Sequence, residues 1–202
     1  MVDATYGPKV YHKVGGDELV VASGGKITVE TGGSIVGADT VTGLLATAAE
    51  LNRAADVSTR VVSLAVTTVI TELLHDGKLL VMDGAGGART FTLPAATGSG
   101  CKFKFLVGAV NTSGYLIKSV SGADHVCGTV LSESSTDSAT DAVNSWTAGA
   151  TDDTITLDGT TTGGVSIGDW VEVADIKLHV WAVTGVLTQS GTEASPFSDT
   201  VA

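Results

Sequence analysis

A chain of 202 residues can bury a core of its own, and its 22 acidic against 11 basic side chains leave a formal charge of −11. Lys102 and Lys104 come closest to a basic cluster, so direct binding to nucleic acid or to an anionic membrane is disfavoured. Glycine at 26 positions, abundant Thr and Val and only 16% charged residues favour short strands joined by many turns.

The chain opens on an extended leader, Met1 to Gly16, in which Pro8 discourages helix. Tyr6 and Tyr11 read either as anchors in a partner's groove or as caps on a local core. Glycine pairs at 15–16, 24–25 and 32–33 then punctuate β-type runs, a pattern of strands folding back repeatedly. Leu19 and Val21 share parity, as do Ile27 and Val29, and Ile35 follows in the next run. Ordering each backbone residue costs about 1–2 kcal/mol, and so few apolar side chains return little. The segment is therefore expected to gain its order against another chain, the alternative being an ordinary meander folded onto its own domain. Tyr6, Tyr11, Leu19, Val21, Ile27, Val29 and Ile35 are the expected contacts with a partner or a sister subunit.

A short helix follows, with Thr47 as N-cap and Glu50 at capping-box spacing, and Leu51 and Ala55 on one face. From Arg60 the pattern is β throughout. Val61 to Ile70 read as a strand or strand pair, and Asp76-Gly77 reads as a hairpin turn between Leu73-Leu74 and Leu79 to Met82. Thr90 to Leu93 alternate. In Lys102 to Val107 the phenylalanines 103 and 105 point inward and Lys102 and Lys104 outward. Tyr115 to Lys118 and Asp124 to Leu131 add strands, and the polar stretch from Ser132 to Asp153 reads as a long exposed loop tethered by Trp146. Strands resume at Thr154 to Leu157 and at Gly168 to Val173, and a last hairpin returns through Leu178 to Leu187. Trp181, Val183, Val171 and Val173 are expected in the core, with Phe197 as a tail anchor.

The expected organisation is a β-arm over 1–43, a linker helix over 44–59 and a β body over 60–202. The body should be a mainly β fold, an antiparallel β-sandwich or irregular β-barrel.

Reactive chemistry is not legible. His12, His75, His125 and His179 are scattered, and no metal-binding spacing of His or Cys occurs. Asp124 and His125 are adjacent on a strand, so they face opposite sides. Asp152, Asp153 and Asp158 read as solvated turn residues rather than a calcium loop, as do Asp137 and Asp141. No enzyme, cofactor or metal is expected. Cys101 and Cys127 read as buried thiols, since Met1 to Pro8 lacks the basic start and apolar run of an export signal. No run approaches the roughly eighteen apolar residues of a membrane helix.

Several segments resemble structural proteins of tailed bacteriophages: Tyr6 to Tyr11, the glycine-punctuated arm, Leu45 to Ser58, Thr92 to Gly100 and Trp181 to Leu187. The resemblance covers about half the chain and is most like a capsid decoration, or cement, protein. It implies a non-enzymatic homotrimer that is made in the host cytoplasm and seated on the outer surface of the virion capsid. There it would stabilise contacts between major capsid protein subunits, with the arm from Tyr6 to Ile35 in contact and the β body outward. A tail-fibre, spike or adaptor component in host attachment is the other role the resemblance implies.

Overall fold

The computed structural model describes residues 10–12, 15, 19–24, 26, 28, 60–135 and 143–201. The chain divides into two compact units, Met1–Asn52 and Arg53–Ala202.

In the first unit, β1 (Val10–His12) pairs antiparallel with β2 (Leu19–Val21), with Val10 opposite Val21, Tyr11 opposite Val20 and His12 opposite Leu19. Gly15 lies between them at φ 115°, a backbone that glycine adopts without a Cβ penalty. The folding-back expected here is therefore present for the first glycine pair. The linker helix expected over 44–59 lies outside the described residues.

The second unit is mainly β. Its strands are β3 (Val61–Ser63), β4 (Thr68–Val69), β5 (Leu79–Met82), β6 (Arg89–Thr92), β7 (Lys102–Val107), β8 (Tyr115–Lys118) and β9 (His125–Ser134). Then come β10 (Val143–Thr147), β11 (Thr154–Leu157), β12 (Trp170–Lys177), β13 (Val180–Gln189) and β14 (Phe197–Ser198). One sheet has seven strands in the order β10-β9-β13-β12-β7-β5-β3, the other five in the order β14-β11-β8-β6-β4.

From β3 to β8 the chain alternates between the sheets, so each strand pairs with the one two places later and does so in parallel. These six strands make three stacked coils. The later strands β11, β12, β13 and β14 pair antiparallel with their neighbours, while β9 joins β13 in parallel. The wholly antiparallel body expected from the sequence is thus corrected to two mixed sheets.

Asp76-Gly77 shows why. The residues before it form a single helical turn, α1 (Glu72–His75), instead of a strand. His75 is buried, which depresses its pKa and favours the neutral ring; its Nδ1 lies 2.9 Å from the Thr71 amide. Gly77, at φ 68°, then donates to the Lys102 carbonyl at 3.1 Å, and Asp76 Oδ1 accepts from the Lys102 amide at 2.9 Å. The turn is closed by β7, not by a hairpin partner. The polar stretch after Ser132 also departs from the expected loop, because β10 pairs with β9 along Val143 to Thr147.

The core fills the space where the sheets face each other. Phe103 and Phe105 of β7, Val171 and Val173 of β12 and Trp181 of β13 are fully buried, and Val183 is buried beside them, as alternation predicts. Phe91 of the smaller sheet stacks on Phe105 of the larger one, centroids 5.9 Å apart, and on Tyr115 at 5.9 Å. Trp181 packs on Phe103 at 5.7 Å. Gly128 allows β9 to close on β13: its φ is 128°, and a Cβ there would run into the Val183 carbonyl.

Candidate interaction surface

The side of the seven-stranded sheet turned away from the core carries the features that could recognise a partner. Register aligns Val81, Leu106, Trp170, Val186 and Leu131 as one row across β5, β7, β12, β13 and β9. Directly opposed side chains on neighbouring strands stand about 5 Å apart, so the row is a continuous apolar stripe. Val186 and Leu131 are each 46% exposed, and Val81, Leu106 and Trp170 are half-buried by their neighbours. Two residues back along the strands, the next row reads Leu79, Lys104, Glu172, Thr184 and Thr129. Thr147 continues it, with its hydroxyl 3.2 Å from that of Thr129. Lys104 Nζ lies 4.2 Å from the centroid of the Trp170 ring, a cation–π contact tying the two rows together.

At one side of this face an open depression of about 280 Å³ is lined by Gly77, Lys78, Leu79, Lys102, Lys104 and Glu172. A second exposed apolar region lies on the first coil, at Val61, Val66, Val69, Leu73 and Leu74. Both strands of that coil are edges, β3 of the larger sheet and β4 of the smaller one.

Of the contact residues expected from the sequence, Tyr6, Ile27, Val29 and Ile35 lie outside the described residues. Tyr11 is on β1 and Leu19 on β2, and Val21 is 40% exposed at the end of β2. The outer-face row was missed. Its members lie on five strands far apart in sequence, and only the outward parity of Lys102 and Lys104 on β7 hinted at it.

The acidic residues inside the body are scaffolding. Asp175 is buried and accepts from the amides of Thr97, Gly98 and Ser99 at 2.8–2.9 Å and from the Ser99 and Thr97 hydroxyls at 3.0 and 3.3 Å. Burial pushes its carboxyl up, but the bonds from Ser99, Thr97 and Gly98 together outweigh that and hold it below the usual range. Asp169 has the opposite balance: burial raises its pKa more than Thr188, Ser166 and Gly164 lower it. Asp153, expected in solvent, is fully buried and fastens the tail through the amides of Thr200 and Val201 at 2.9 and 3.0 Å. It is enclosed because β14 and the residues after it fold back over β11. Asp158, only half-buried, shapes its turn through Thr160, Thr161 and Thr162.

Asp124 faces His179, not His125. Its buried carboxylate lies 2.7 Å from His179 Nδ1, and His179 sits at φ 64° in the turn between β12 and β13. Tertiary folding makes this pair from residues 55 positions apart, and it latches the turn to the loop before β9. Glu72, Cys101 and Asp175 bring one ligand atom each within 4.8 Å of one another. They fit a metal poorly: burial pushes the Cys101 thiol up to about 11, so it stays protonated, and Asp175 already accepts five hydrogen bonds. Cys101 is buried as expected, whereas Cys127, also expected buried, is exposed, because it follows inward-facing Val126 on β9 and so takes the outward position.

Comparison with protein-family models, with curated proteins and with solved structures gave no match.

Proposed function

We propose that the chain is a non-enzymatic structural protein of a tailed-bacteriophage virion. It sits on the outer surface of the assembled capsid as a homotrimer and stabilises contacts between major capsid protein subunits. The observation that carries this reading is the apolar row on the outer face of the seven-stranded sheet. That row lies on the face away from the body's own core and stays partly exposed, an arrangement that favours a second surface over it. The resemblance of several segments to phage structural proteins is what points this reading to a capsid as that surface. Full burial of one such side chain is worth about 1.5–3 kcal/mol, and these are already partly covered, so each copy binds modestly. Repetition within a trimer turns the second and third contacts into intramolecular ones and lifts the total.

The test is to count copies per purified particle and to add the protein to shells that lack it. The reading expects a copy number on the scale of the capsid lattice, a trimer by light scattering, and shells that resist disruption better once decorated. Absence from the shell, or a compact monomer indifferent to it, overturns the reading.

One observation favours the tail-fibre role as a second reading. Among the described residues, the first coil leaves β3 and β4 at the edges of the two sheets, with Val61 and Val69 exposed, a geometry suited to strand addition by a further chain. A copy number on the scale of a tail appendage would select it.

A further inference from the structure

The depression beside the apolar row has a charge at odds with the rest of the molecule. Three of the chain's eight lysines line it, in a protein whose formal charge is −11. Lys102 and Lys104 project from alternate positions of β7 on the outer face. Among the described residues, neither ammonium is ion-paired with a carboxylate. Leu79 is the register partner of Lys104, and with the lysine stems it makes an apolar floor under a ring of charge.

We infer that this depression and the adjoining row form a docking groove for an extended acidic segment of a partner protein, one that alternates carboxylate and apolar side chains. Successive rows of the face are two residues apart along the strands, about 7 Å, which is the spacing of i and i+2 side chains in an extended peptide. A segment lying along β7 therefore sets carboxylates over Lys102 and Lys104 and an apolar side chain over Leu106. The pattern recognised is acid-x-acid-x-apolar. Glu172, opposite Lys104 on β12, repels a carboxylate from that flank and steers the acids toward β5 and Lys78.

Other anions fit less well. The amides at the rim are committed: Gly77 donates to the Lys102 carbonyl and Lys102 donates to Asp76. The groove thus offers ammonium point charges and no backbone cradle shaped for phosphate. Nucleic acid carries a charge at every nucleotide and would meet the field of a strongly acidic protein along its whole length, whereas a segment with two carboxylates places both beside the lysines. An acidic polysaccharide would meet the lysines but has no apolar side chains to lay over Leu106 and its row neighbours. This inference rests on the outer sheet face being a docking surface. It does not require the partner to be a capsid.

The experiment is a titration of the full chain with a fluorescein-labelled peptide in which two Glu residues at alternate positions are followed, two residues on, by Leu. A scrambled peptide of the same composition and a heparin oligosaccharide serve as comparators. The expected result is saturable binding to the patterned peptide that weakens with salt, and about tenfold weaker binding for Lys102→Gln and Lys104→Gln combined. Lys118→Gln, on the other sheet, should change nothing. Unchanged melting of the Gln variant shows that loss of affinity is not loss of fold; if that variant melts early, Leu106→Ser is read in its place. No binding, binding indifferent to these substitutions, equal binding of the scrambled peptide, or tighter binding of heparin each overturns the inference. The copy-number measurement above reports on the virion role separately, so the two can fail independently.

Discussion

The strands from β3 to β8 and the strands β12 and β13 solve the same problem in different ways. The first set winds between the two sheets, so no strand pairs with its immediate successor; the second folds straight back within one sheet. In the hairpin, partners are neighbours in sequence, and Trp170 through Lys177 pair with Val180 through Val186 across a tight turn. In the coils, partners are separated by a full circuit, and the connections must be held by side chains. Tyr115 does this by sharing its single hydroxyl proton between the carbonyls of Ala109 and Met82, at 2.7 and 3.0 Å. Asn111 does it through the carbonyls of Gly84 and Gly87 at 3.0 Å. Local pairing is readable from turn chemistry, whereas coiled pairing is fixed by contacts that span circuits.

The strongest way to break that contrast is to remove a side chain both regions share. Phe105 of β7 packs between Phe91 and the strands that follow, and Phe105→Ala should cost about 4 kcal/mol. Thermal melting of this variant should still show one transition for the body; two transitions would mean that coils and hairpin are separate cooperative units.

Asp175 ties the regions together, since it stands on β12 and holds the loop between β6 and β7. Replacing it with Ala strands three amides and should cost about 3 kcal/mol, measured by urea denaturation. Its depressed pKa also sets a pH dependence. The stability it contributes is present above the unfolded carboxyl value, near 4, and is lost as pH falls through the lower folded value. Asp153 and Asp158, also depressed, act in the same direction. Asp169, raised by burial, acts in the opposite one: its contribution is present at low pH and is lost as pH rises through its folded value. Asp175→Asn should therefore flatten the acid limb of the stability profile; an unchanged limb would show that its bonds do not differ between folded and unfolded chains.

A smaller effect sharpens the account of the coils. Tyr115→Phe keeps the ring stack and deletes the one hydroxyl proton shared by two carbonyls, so a loss of about 1 kcal/mol is expected. Amide exchange should quicken at Ala109 and Gly108 before it does in β13. The smallest effect belongs to the open edge. Val69, 67% exposed on β4, can become Thr within about 0.5 kcal/mol. If that change instead alters sedimentation of the purified protein, the first coil is itself a contact surface.

The two regions also differ in how much of them was legible. On β7, alternation gave the inward phenylalanines and outward lysines directly, and Trp181, Val171 and Val173 were recognisable as core. Trp146 was recognisable as a tether, and it bonds through Nε1 to Ser132 and Gln189 at 2.9 Å. Asp76-Gly77 misled because the same dipeptide that closes hairpins also ends a helical turn, and only buried His75 with the Lys102 carbonyl decides between them. Asp153 misled because an acidic residue beside a turn is usually solvated, and its burial depends on a tail that arrives 47 positions later.

By itself, then, the amino-acid order determined that this is a β protein, which face of most strands is apolar, and which aromatic residues fill its centre. Those properties follow from side-chain alternation and solvent preference, which act over a few residues. Tertiary structure alone decided that the early strands coil in parallel, that Asp124 meets His179, and that five apolar side chains from five strands align beside three lysines. Register between distant strands is set by the packing of the whole sandwich, and no local pattern in the chain encodes it.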